Sequence, residues 1–173
     1  DRSKNMKSTN ITLWAAIFLF SIIIAGCINA PEYSDVPEIE FLSFSNQTMN
    51  QAPLNSDTTV LSITFTDGDG DIGFDMETAG ENIFIIDNRT NEIFDRFRAP
   101  AIPPEGANNG VSGEINMVLL NTCCVFPPQD SIPNCESPMQ YPTNELTFTV
   151  YILDRAGNKS NEIVTPAITL NCN

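Results

Sequence analysis

"TVLSITFTDGDGDIGFD", Thr59 to Asp75, changes character halfway along. Leu61, Ile63 and Phe65 alternate with Ser62, Thr64 and Thr66, the period-2 pattern of a strand with one buried face. The run then breaks into Asp67, Asp69, Asp71 and Asp75, spaced in part by glycine. Similar short runs recur: Ile39 to Phe44, Asn82 to Asp87, Glu92 to Arg98, Gly113 to Asn121, Glu145 to Leu153 and Glu162 to Cys172. Pro166 marks the last of these as an edge strand or one with a bulge. Turn clusters separate the runs, and two longer loops, Ala99 to Ser112 and Cys123 to Asn144, interrupt them.

Seven alternating runs and no amphipathic helical stretch downstream of residue 26 predict an all-β, immunoglobulin-like, seven-stranded antiparallel sandwich with Greek-key connections. The domain is expected to span residues 38–173. Taken as strands A, B, C, C′, E, F and G, the runs alternate in direction. The E–F loop and the end of G then meet at one pole, and the B–C and F–G loops meet at the other.

The first pole collects Cys123, Cys124, Cys135 and Cys172. With Cys27 set aside, four cysteines remain, an even number that predicts two disulfides in a chain bound for an oxidising compartment. A bridge between the neighbours Cys123 and Cys124 is strained, so Cys135 and Cys172 are each expected to join one of them, in either order. Zinc is disfavoured, since the sequence has no histidine and no CxxC spacing. The bridge closing the shorter loop should contribute about 3 kcal/mol by restricting the unfolded chain.

The second pole collects Asp67, Asp69, Asp71 and Asp75 with Asp154 and Asn158 of "LDRAGNKSN". Calcium takes six to eight oxygen ligands, and a D-x-D-x-D run with glycines can curl until alternate carboxylates face one centre. An EF-hand is rejected, because Ala79 stands where the twelfth-position glutamate belongs and no helices flank the loop. The loop is closer to the acidic B–C loops with which cadherin-like sandwiches hold calcium near the incoming linker. The linker acids Glu32, Asp35 and Glu38 are candidates to complete such a shell. Turn chemistry competes with this reading, since Asp-Gly pairs are strong turn formers. Repulsion among crowded carboxylates favours a cation over a plain turn.

Upstream, "MKSTNITLWAAIFLFSIIIAGC" has a lysine, an apolar run from about Ile11 to Ala25, and small residues before Cys27. This is the layout of an export signal, with a retained anchor as the alternative. "IAGC" resembles the lipobox of bacterial lipoproteins, which implies cleavage before Cys27 and diacylglycerol on its sulfur. Residues 1–26 are then a signal peptide and residues 27–37 a proline-containing acidic tether. Asp1 to Asn5, ahead of Met6, read as an early start assignment or added residues. Removing the signal takes three of eight basic residues and one of 22 acids, moving the net charge from −14 to −16. Such a chain excludes nucleic acid, whose phosphates need a basic surface. It is also repelled by anionic headgroups, so acyl chains must hold it to the membrane.

Catalysis is not expected. Without histidine there is no Ser-His-Asp or Cys-His arrangement, and no carboxylate pair is singled out for glycoside hydrolysis. "IAGC", "FTDGDGDIG" and "YILDRAGNKSN" together resemble small Bacteroidota outer-membrane lipoproteins with one immunoglobulin-like or cadherin-like domain. The resemblance implies location and fold more than activity. "DTT" (Asp57 to Thr59) and "DSI" (Asp130 to Ile132) resemble the short O-glycosylation sites of that group. The expected function is a non-catalytic module, lipid-anchored in the outer membrane and docking onto a membrane protein assembly, with calcium stiffening the tether pole. "INAPEYSD" after Cys27 suits either face of that membrane. The alternative is a surface glycan-binding or adhesive domain, for which Tyr141, Phe126 and Phe97 are candidate stacking residues.

Overall fold

Ten short strands carry nearly all of the regular structure in the computed structural model, which describes residues 33–53, 56–75, 77–78, 80–102 and 110–173. The expected signal peptide (residues 1–26), Cys27 and Glu32 lie outside the described residues. No helix among the described residues is long and apolar enough to cross a membrane.

The opening stretch forms the spine. Strand β3 (Thr58–Asp67) lies between β1 (Glu38–Phe44) and β6 (Val111–Leu120), antiparallel to both. The second sheet runs β5-β4-β8-β9, with β4 (Ile83–Asp87), β5 (Glu92–Phe97), β8 (Phe148–Ile152) and β9 (Ile163–Val164). All its pairings are antiparallel. Alternation places Leu61 and Ile63 of β3, and Met117 and Leu119 of β6, on the face that buries. They join Ile83 and Ile85 of β4 and Val150 and Ile152 of β8 in one core. The all-β sandwich expected from the alternation is what the chain forms.

The strand count differs from seven. The run Glu145 to Leu153 is two strands, β7 (Thr143–Leu146) and β8, divided at Thr147. The run Glu162 to Cys172 is likewise divided around Pro166 into β9 and β10 (Ile168–Asn171). β8 pairs with β9 in the second sheet, whereas β7 pairs with β10 in a third. β2 (Thr48–Asn50) completes that third sheet, parallel to β10. The F–G hairpin thus leaves one sheet for another halfway along. Proline explains one break, since it cannot donate to a ladder. At the other, the Thr147 carbonyl turns away to accept the Asn88 N–H.

Leu120, at the far end of β6, leads into the cysteines. Cys123 bridges Cys135, closing a separation of 12, and Cys124 bridges Cys172 across 48. Cys124 and Cys172 are fully buried. Arg89, in the turn after β4, ties this loop to the sheet. Its guanidinium pairs with Asp87 at 2.6 Å and donates to the Cys123 carbonyl and to Asn144 Oδ1. Sequence reading saw only a turn there.

Candidate metal centre

The other end of β3 is where Asp67 disappears into the fold. Its side chain is fully buried, and its Oδ2 accepts the Asp71 N–H at 2.8 Å. The aspartate loop therefore curls back on itself within four residues, bringing one ligand oxygen from each of Asp67, Asp69 and Asp71 within 4.8 Å of the others. Asp69 is exposed and Asp71 half-buried, so the group opens to solvent on one side.

The F–G loop meets it. Arg155 N–H donates to the Asp71 carbonyl, and Ala156 N–H donates to Asp71 Oδ2 at 3.0 Å. Asp154 is buried beside them, both carboxylate oxygens accepting from Asn158, one from its N–H and one from its side-chain amide. Asn158 thus holds Asp154 in place. Asp75 goes elsewhere. Gly73, with φ of 85°, turns the chain toward Pro100, where a Cβ would fall 2.1 Å from the Pro100 carbonyl oxygen. A bridge between Phe74 and Pro100 follows, and exposed Asp75 lines a shallow cavity with Arg98.

Burial, then the neighbouring charge of Asp69, pushes the Asp67 carboxyl up to about 6, with Asp71 and Asp154 adding to the rise. The Asp71 N–H opposes it. Asp71 is raised too, by burial first and then by Asp154 and Asp69. The Ala156 N–H and the Arg155 charge oppose the rise at Asp71 without cancelling it, and the Arg155 Nη1 donates to the Gly73 carbonyl. Among the described residues, the buried side-chain atoms lacking any hydrogen-bond partner are Asp67 Oδ1 and Asp71 Oδ1. Buried oxygens are normally satisfied. Two orphaned carboxylate oxygens inside a group of like charges are what a divalent cation with oxygen ligands would complete.

The last residues of the expected tether, 33–37, pack on this pole. Ser34 carbonyl accepts the Gly68 N–H at 2.7 Å, and Pro37 is buried. A Cβ at Gly68 would stand 2.5 Å from the Tyr33 carbonyl oxygen and 2.9 Å from Asp35 Oδ1. Of the three tether acids, Asp35 lies against the loop and Glu38 opens β1 opposite Thr66. Gly68→Ala should therefore lift the tether from the pole. The expected result is a loss of about 1–2 kcal/mol and faster proteolysis around Tyr33 to Pro37, read by limited digestion and mass spectrometry.

The aromatic candidates are dispersed. Phe126 is 8% exposed and packs on Tyr141 with ring centroids 5.8 Å apart, while the Tyr141 hydroxyl donates to Asp130. Phe97 packs against the core beside an apolar cavity. A pair that sequence reading did not single out, Phe84 and Tyr151, stacks across β4 and β8, and Lys159 lies 3.9 Å from the Tyr151 ring centre. Thr58 and Ser131, the hydroxyl residues central to the two glycosylation-like triplets, are both exposed. Compared with family models, curated proteins and solved structures, the chain matches none.

Proposed function

We propose that this chain is a lipid-anchored, non-catalytic docking module whose tether-side pole is made rigid by a bound divalent cation, calcium by the chemistry of its donors. The observation that carries the cation is the fully buried Asp67, with one oxygen unpartnered and the Asp69, Asp71 and Asp154 charges all acting on it. Carboxylates and backbone carbonyls are hard oxygen donors and suit calcium better than a softer metal. Asp67, Asp69 and Asp71 would hold the ion, with Asp154 close behind. Because residues 33–37 pack on the same loop, fixing that loop also fixes the direction in which the tether leaves the domain.

The anchor rests on "IAGC" at Cys27, and the outer membrane on the resemblance it shares with the two polar loops. Docking onto a membrane protein assembly gives a rigid exit pole a purpose: it orients one surface of the domain relative to the bilayer. The glycan alternative needs open aromatic faces. Tyr151 is flanked by Phe84 and Lys159, and Phe126 is buried, so that reading has less support.

The test is co-purification of the full chain from its own envelope in mild detergent. A stoichiometric membrane-protein partner that stays with the chain is expected, in calcium and in chelator alike. A chain that migrates alone under both conditions contradicts the docking reading.

A further inference from the structure

Sheet edges expose rows of backbone donors and acceptors, and folded proteins usually guard them with charges, bulges, proline or short length. On one flank of this sandwich the guard is in place. β1 carries Glu38 and Glu40 and a register shift between Phe41 and Ser43, and β9 has two residues. The Asn161 side chain both accepts the Ile39 N–H and donates to the Ile39 carbonyl, plugging the β1 edge.

The opposite flank, between β6 and β5, is different. β5 is six residues with Asp95 and Arg96, and its pairing with β4 is interrupted by a register shift. β6 is ten residues in unbroken register with β3, bearing Glu114 as its one charge, with neither lysine nor proline. The Asn121 N–H donates to the Asp57 carbonyl at 3.0 Å, one step beyond the last pair of that ladder. Antiparallel pairs alternate, so the odd-numbered residues of β6 bond to β3. The N–H and C=O groups of Ser112, Glu114, Asn116 and Val118 therefore face the open flank, and none has a partner among the described residues.

Beside that edge lie two cavities in succession. One of about 280 Å³ is lined by Phe97, Ile102, Ile115 and Met117, with Arg98 and Glu114 offsetting each other, and one of about 380 Å³ by Phe94 and Leu120, with Asp87, Glu92 and Asp95 outnumbering Arg89. Only an extended backbone can satisfy a row of alternating donors and acceptors. Its inward side chains would enter the first cavity, which asks for apolar residues at alternate positions. From Tyr33 onward the sequence holds 20 acidic and 5 basic residues. That imbalance disfavours a second copy and favours a basic strand.

We propose that β6 is the docking edge of this module and receives an extended strand of alternating apolar and basic residues from another protein. The inference rests on the docking reading above and is independent of the cation. The probe is a ten-residue peptide of alternating valine and lysine, with a valine–glutamate peptide as control, added to the full chain in non-ionic detergent. The readout is residue-resolved amide hydrogen exchange. Saturable 1:1 binding should slow exchange at Ser112, Glu114, Asn116 and Val118 about tenfold or more, with or without chelator, while the glutamate peptide does nothing. Val118→Pro removes an edge N–H that β3 does not use and should abolish the protection. Val118→Lys keeps that N–H and should weaken binding about two- to fivefold, by facing the lysines of the probe with a like charge. Protection on β5 or β9 instead, or none, overturns the proposal. So do equal binding of the glutamate peptide and exchange at the four amides that is slow without peptide and quickens on dilution, which marks a second copy as the occupant. A membrane partner that co-purifies yet leaves these amides unprotected sinks the β6 assignment alone, whereas a chain with no partner sinks docking itself.

Discussion

Replacing Cys124 and Cys172 together by alanine is expected to lower the stability of the domain by about 4 kcal/mol, the chain-entropy value for a separation near 48 residues. Both cysteines are fully buried in the core cluster, so lost packing adds to the loss. For a domain of this size the melting temperature should fall by roughly 10–15 °C. Thermal unfolding followed by circular dichroism is the measurement. Cys123 and Cys135 sit in a half-exposed loop and close only 12 residues, so their removal should cost less, about 3 kcal/mol. A Cys124/Cys172 variant that melted within a few degrees of the parent would mean that the third sheet holds its place without the bridge.

The second large effect belongs to the opposite pole, some 30 Å away along the ten residues of β3. Without a divalent cation, the domain should lose stability as pH rises. Asp67 moves from an ordinary 3.8 when unfolded to about 6 when folded, so the folded state prefers the protonated carboxyl. Its contribution is complete below pH 3.8 and lost as pH climbs through 6, on the order of 1–3 kcal/mol once solvent screening is allowed for. Asp71 is shifted in the same sense. Calcium should reverse the loss at neutral pH, adding about 2.7 kcal/mol at a hundredfold excess over its dissociation constant. Asp67→Asn should flatten the pH dependence and remove the calcium response. A melting temperature that rises between pH 4 and 7 in chelator would contradict the assignment of the raised carboxyl. With the two poles so far apart, the calcium response should survive in the disulfide variant almost unchanged.

Much of the architecture was legible because alternation reports burial directly. Leu61, Ile63, Val150 and Ile152 are core residues for the reason their spacing implied. The Greek-key ordering also brought the cysteines to one end and the Asp71 and Asp154 loops to the other, as the hydrogen bonds from the Arg155 and Ala156 N–H groups to Asp71 record. Hydrogen-bond partners are another matter. Leu146 and Phe148 share one apolar alternation yet belong to different sheets, and periodicity carries no information about which neighbour a strand pairs with. β2 has three residues in a polar stretch and no period to detect. Arg89 and Asn161 act across the fold, Arg89 reaching Asn144 55 positions away and Asn161 reaching Ile39 122 away.

The candidate centre divides in the same way. Asp67, Asp69 and Asp71 were legible from spacing, but Asp75 was grouped with them by proximity in sequence, and the turn at Gly73 sends it toward Pro100. Asn158, expected as a ligand, donates its N–H and its side-chain amide to Asp154 and so positions that carboxylate, a role that spacing does not announce. Packing of residues 33–37 on the loop was hidden for a different reason. It depends on backbone contact between Ser34 and Gly68, to which side-chain patterns are blind.

Calorimetric titration of the cation-depleted full chain with calcium at neutral pH tests the central claim most directly. Saturable binding that is lost in Asp67→Asn, with a melting temperature raised by calcium and lowered again by chelator, is the result expected. A flat titration and a melting temperature indifferent to chelator would contradict it, leaving the aspartate loop as a turn.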